Sequence, residues 1–177
     1  MKFQLSEKTR FDRDLMFRTH RDDLDKLVPY MTMVERVRAE GKEVHADGTQ
    51  VLTHRWLCTR EAVPAMIRPM IPPNMLVWVG RATWNPNTFQ CSWDIDIPGL
   101  EQAVTIHGVH TYHEDPKGTR VELAGNFAVH PEKIPNLPPM ISGPMVTAFE
   151  KFTTQVIIGV MKATHRAVVS YLEDQKR

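Results

Sequence analysis

Between Met145 and Tyr171 the apolar residues recur at spacings of three and four, and this pattern constrains the chain more than any other feature. Met145, Phe149, Phe152, Val156, Val160, Ala163, Ala167 and Tyr171 form one stripe, which Ile157, Met161 and Val168 widen. Pro144 follows Ser142 and Gly143, where the first turn of a helix tolerates a missing N–H. The pattern predicts one amphipathic helix running to about Asp174. At about 30 residues it would be a rod of ~45 Å. Such a rod must bury its apolar side against a surface of similar length.

The rest of the chain supplies that surface with a period of two. Lys2 to Phe11 reads as a first strand, with Asp12 as the N-cap of a helix that carries Leu15, Met16 and Thr19 on one face. Asp22 is the expected cap of a second short helix with Leu24, Leu27 and Val28, closed by Pro29. Met33 to Val44 and Val51 to Thr59 flank a turn at Ala46-Asp47-Gly48 and predict a hairpin. Glu61 to Ile67 suggests a turn or two of helix, ended by Pro69, Pro72 and Pro73. Strands are expected at Met75 to Trp84, Thr88 to Ile97, Ala103 to Glu114 and Thr119 to His130, with turns between them. Strands this closely spaced pair as an antiparallel meander, because no helical crossover fits between them. The expected fold class is α+β: a curved antiparallel sheet of about seven strands gripping the C-terminal helix, as a single domain over residues 1–177.

Composition narrows the function. A formal net charge of +1 provides no field for a nucleic acid, and none is expected as a partner. No apolar run reaches the ~20 residues of a membrane-spanning helix. The opening residues, MKFQLSEKTRFDRD, lack the apolar core of a signal peptide, so a cytoplasmic location is expected. Cys58 and Cys91 fall in separate strands and read as small buried side chains. No phosphate loop or nucleophile elbow is present, and no catalytic residue is assigned. The run HGVHTYH suggests a metal site through His107, His110 and His113, but a strand turns His110 away from the other two, and no metal or cofactor is expected. Asp94 and Asp96 share the solvent side of their strand, and His165 and Arg166 are expected to complement the helix dipole.

Alternation sorts the strands into two faces. Phe89, Cys91, Trp93, Ile95 and Ile97 face the helix in one strand. Val104, Ile106, Gly108, His110 and Tyr112 do so in the next, and Val121, Leu123, Gly125, Phe127 and Val129 in the last. Leu52, His54, Trp56 and Cys58 share a face in the first hairpin. Gly108 and Gly125 mark either a bulge or a widened pocket. The candidate ligand-binding residues are His54, Trp56, Trp78, Trp93, Ile95, Ile106, His110, Tyr112, Leu123 and Phe127 of the sheet, and Phe149, Phe152, Val156 and Val160 of the helix. His54 and His110 are polar anchors among them, with ordinary pKa values near 6.5.

The layout resembles the START/Bet v 1-like superfamily, the helix-grip or SRPBCC fold. The resemblance is carried by FDRDLMFRTHRDDLDKLVPYM, the hairpin VERVRAEGKEVHADGTQVLTHRW, the strand FQCSWDIDI, the hairpin HTYHEDPKGTRVELAGNFAV and the terminal helix. DGT followed by LTHRW also resembles the PRELI-type lipid-transfer branch. The resemblance implies a cavity between sheet and helix that binds or transfers an apolar small molecule or lipid, of roughly 300–1,000 Å³. Two alternatives stand beside it. One is an enzyme on the same scaffold, a polyketide cyclase/aromatase or hydrolase using His54 or His110 with Tyr112. The other is a protein-interaction module with a filled core. The proline-rich stretches 64–73 and 131–144, with Met66, Ile67, Met70, Ile71, Leu137, Met140 and Ile141, are the expected lid or the site of transient membrane contact.

Overall fold

The computed structural model describes residues 1–62, 76–133 and 143–176. The expected lid residues from Met66 to Ile71 and from Leu137 to Ile141 lie outside them. The strands are β1 (Lys2–Thr9), β2 (Val34–Val44), β3 (Gln50–Cys58), β4 (Val77–Asn85), β5 (Gln90–Asp96), β6 (Val104–Asp115) and β7 (Gly118–Val129). The helices are α1 (Arg13–Asp22), α2 (Leu24–Leu27) and α3 (Gly143–Asp174). The strands form one seven-stranded antiparallel sheet in the order β1-β7-β6-β5-β4-β3-β2, gripping the long C-terminal helix.

Local chemistry explains most boundaries. The Asp12 carboxylate accepts from the backbone N–H groups of Asp14 and Leu15 at 2.9 and 3.1 Å, which starts α1 as expected. The residue before the second helix is Asp23 rather than Asp22, and neither carboxylate caps it: Asp22 pairs with the Arg21 guanidinium at 2.7 and 2.8 Å and Asp23 with Lys26 at 2.7 Å. Pro29 does not end the pair; it continues α2 into a 3₁₀ turn over Val28–Tyr30. Phe11, expected at the end of the first strand, lies beyond it and is buried in the core. The segment expected to be helical from Glu61 is a 3₁₀ turn over Arg60–Ala62 as far as it is described.

Alternation holds on the inner face. Cys91, Trp93 and Ile95 of β5 are buried, as are Ile106, His110 and Tyr112 of β6 and Val121, Leu123 and Phe127 of β7. Asp94 and Asp96 are exposed. Gly108 and Gly125 are neither bulges nor widenings, since the register of β5, β6 and β7 runs through them without a shift. Trp93 stands opposite Gly108, Gly108 opposite Gly125, and Gly125 opposite Phe3. A Cβ at Gly108 would collide with the Trp93 ring and the Ala124 carbonyl, and one at Gly125 with the Phe3 ring. Each glycine is the seat of an aromatic ring. The bulges are in β2 instead, between Val34 and Arg36 and between Ala39 and Gly41.

Among the described side chains, the buried line of α3 is Thr154, Ile157, Val160, Thr164, Ala167, Val168 and Leu172. It runs slightly to one side of the stripe read from the sequence, leaving Ala163 and Tyr171 half-buried. Thr164 is tolerated there because its hydroxyl donates to the Val160 carbonyl at 3.0 Å. His165 and Arg166 are not in the last turn of the helix, so their expected dipole role is withdrawn.

Candidate ligand cavity

A cavity of about 80 Å³ lies between the sheet, α1 and α3. Its floor is small: Gly80 and Ala82 of β4 with Cys91 of β5. Its walls are large: Trp56 of β3, Trp78 and Trp84 of β4, and Trp93 of β5. These are all four tryptophans of the chain. Ladder pairing produces this arrangement. Trp56 opposes Trp78 and Trp84 opposes Cys91, while His54 opposes Gly80 and Ala82 opposes Trp93. The Trp56 and Trp78 rings stack at 6.1 Å with 21° between their planes. Val160, Met161 and Thr164 of α3 form the roof, and His20, Arg21 and Leu24 close one end. α1 is held there by Phe17, whose ring meets Trp84, Phe89 and Tyr112 edge-on at 5.2 to 5.4 Å.

Among the residues expected to touch a ligand, His54, Trp56, Trp78, Trp93, Ile95, His110 and Val160 are on this wall. Ile106, Leu123 and Phe127 pack into the solid core beside it, and Tyr112 is buried behind His20. Val156 is half-buried and away from the wall. The side chains of Phe149 and Phe152 lie outside what is described. Sequence reading missed Trp84, although it continues the alternation of Trp78, Gly80 and Ala82. It also missed His20, which stands four residues after the buried Met16 on the same face of α1.

Imidazoles supply the polar chemistry. The Trp93 indole N–H donates to His110 Nδ1 at 3.0 Å. His20 Nδ1 and the Tyr112 hydroxyl are 2.5 Å apart, and the His20 and His110 rings meet edge-on with centroids 5.5 Å apart. Burial lowers the pKa of His110 to about 4. Burial, then the nearby His110, holds His20 well below the ordinary value, and burial lowers His54 and His165. Burial also pushes the Tyr112 phenol and the Cys91 thiol well upward. At neutral pH the interior carries neutral imidazoles, a neutral phenol and an unreactive thiol. In β6, His107 is exposed and His113 meets Glu122 at 3.1 Å, so only His110 of that run turns inward.

Beside the cavity a cleft of about 950 Å³ separates α1 and α2 from the hairpin of β2 and β3. It carries Arg21, Asp22, Asp25, Arg38 and Lys42. Cleft and cavity share Arg21, Leu24 and His54, which stand at the junction of the polar and the apolar space.

The same architecture occurs in proteins of very different sequence. A protein of Thermus thermophilus, TTHA0849, is similar with a TM-score of 0.68 at 15% identity, over 97% of this chain and 99% of its own. The Zhui aromatase/cyclase from Streptomyces sp. R1128 has a TM-score of 0.65 at 12% identity, over 100% and 96%. Ginseng major latex-like protein 151 from Panax ginseng has 0.54 at 8%, over 94% and 95%. At these identities the likeness concerns the fold, which is the START/Bet v 1-like helix grip. No curated protein matches the sequence. A family profile matches residues 29–154, and the chain belongs to that family, described as a protein of unknown function (DUF2505).

Proposed function

We propose that this chain binds an apolar, ring-bearing small molecule in the cavity between the sheet and α3. The observation that carries the reading is the convergence of all four tryptophans on a floor of Gly80, Ala82 and Cys91. Burying that much aromatic surface around a void forgoes packing that a solid core would have, and a ligand restores it. A volume of about 80 Å³ is below that of a drug-sized pocket, so one end of the ligand fits inside. A longer molecule or a lipid would extend past Arg21, Leu24 and His54 into the polar cleft. Structural neighbours that include an aromatase/cyclase and a major latex-like protein are consistent with such a scaffold. The neutral imidazoles and the unreactive Cys91 favour binding over covalent catalysis.

Native mass spectrometry of the purified protein, with solvent extraction of what it carries, tests this reading. A stoichiometric small apolar adduct that quenches tryptophan fluorescence on rebinding is the expected outcome. A protein that purifies empty and binds no naphthalene derivative would refute it.

A further inference from the structure

The cavity's hydrogen-bonding groups define its ligand more narrowly, on the basis of the binding reading above. Indole nitrogen can only donate, so the bond from Trp93 makes His110 Nδ1 an acceptor. The neutral His110 ring then carries its proton on Nε2. Tyr112 is 2% exposed, and its hydroxyl has one hydrogen-bond partner among the described residues, His20 Nδ1. A buried phenol left without an acceptor is costly, so the hydroxyl donates and the His20 proton is also on Nε2. Neither Nε2 has a partner among the described residues, and both rings line the cavity. His110 is itself only 7% exposed.

We propose that His20 and His110 act as a pair of tautomer-locked donors that recognise an oxygen acceptor, a carbonyl or phenol oxygen, on the ring-bearing ligand. Trp93 and Tyr112 are the positioning residues that hold the two protons on the cavity side. The pair distinguishes an oxygenated ring molecule from a hydrocarbon of the same shape, and it disfavours an ammonium ligand, which has no lone pair to offer.

Calorimetric titration of the whole protein with 2-acetylnaphthalene and 2-ethylnaphthalene tests this, because the two probes differ at the carbonyl and share the ring. The ketone should bind about tenfold more tightly. His110→Leu and His20→Leu should each remove most of that advantage, read as the ratio of the two affinities within the same variant. Trp93→Phe and Tyr112→Phe, which keep both imidazoles and release their tautomers, should cut the advantage to about threefold. Nitrogen NMR of the unmodified protein provides a readout that needs no variant: both rings should show a protonated Nε2 and an acceptor Nδ1. Equal affinity for the two probes, or an Nδ1–H tautomer in either ring, would overturn the donor pair and leave the cavity reading standing. If neither probe binds, both fall together.

Discussion

The inner face of the sheet has a solid half and a hollow half, and both are built with glycine. In the solid half, Gly108 and Gly125 are covered by the rings of Trp93 and Phe3, and Ile106, Leu123 and Phe127 fill the space around them. In the hollow half, Gly80 has only the edge of Trp56 beside it, at 3.5 Å from where a Cβ would stand, and the space above is open. A glycine on an inward face therefore makes room, and the rotamer of the ring opposite decides whether that room is kept. Beside this hollow, Trp56 and Trp78 stack on one another with 21° between their planes.

Substitutions that treat the halves alike should separate them. Phe127 is 0% exposed, and Phe127→Ala should cost about 4 kcal/mol in urea unfolding. Gly108→Ala should cost about 3 kcal/mol, because its Cβ meets the backbone Ala124 carbonyl as well as the Trp93 ring. A loss under about 1 kcal/mol at Gly108 would mean that Trp93 does not lie over it.

The histidines of the hollow half predict a pH effect of similar size. In the unfolded chain His110 takes up its proton near the ordinary value of 6.5, and in the folded chain only near 4. The unfolded state therefore binds more protons between those values. Stability is full above about pH 6.5 and is lost as pH falls toward 4, by an amount on the order of 3 kcal/mol for His110. His20 shifts in the same direction and adds to the loss. Urea unfolding at several pH values would measure it, and His110→Leu should flatten the profile.

Gly80→Ala should change stability by less than about 1 kcal/mol, since its Cβ makes an ordinary contact, yet it should weaken ligand binding. The smallest expected effect is at the surface. Arg55 and Glu40 pair at 2.6 Å with side chains 45% and 32% exposed, and Arg55→Ala should cost no more than about 0.5 kcal/mol, measurable as a shift in the urea midpoint.

The solid half was almost fully legible in the sequence. A period of two assigns β5, β6 and β7 residue by residue, and burial follows that assignment from Cys91 to Phe127. The hollow half was legible only in part. Trp56, Trp78 and Trp93 could be placed on the inward face, but the volume they leave depends on rotamers, and about 80 Å³ remains rather than several hundred. His20 was hidden for a different reason: its partner Tyr112 is 92 residues away, and only the docking of α1 by Phe17 brings them together. His165 was read from the helix terminus alone, although it lies among the other interior imidazoles that shift one another.

The most direct measurement is a calorimetric titration of 2-ethylnaphthalene into the native protein and into Ala82→Leu, which places a larger side chain on the floor between the tryptophans and keeps both histidines. Binding by the native protein, and its loss in a variant that remains folded and no less stable, is the expected result. Equal binding by both proteins would place the ligand elsewhere and contradict a cavity held open by its small floor.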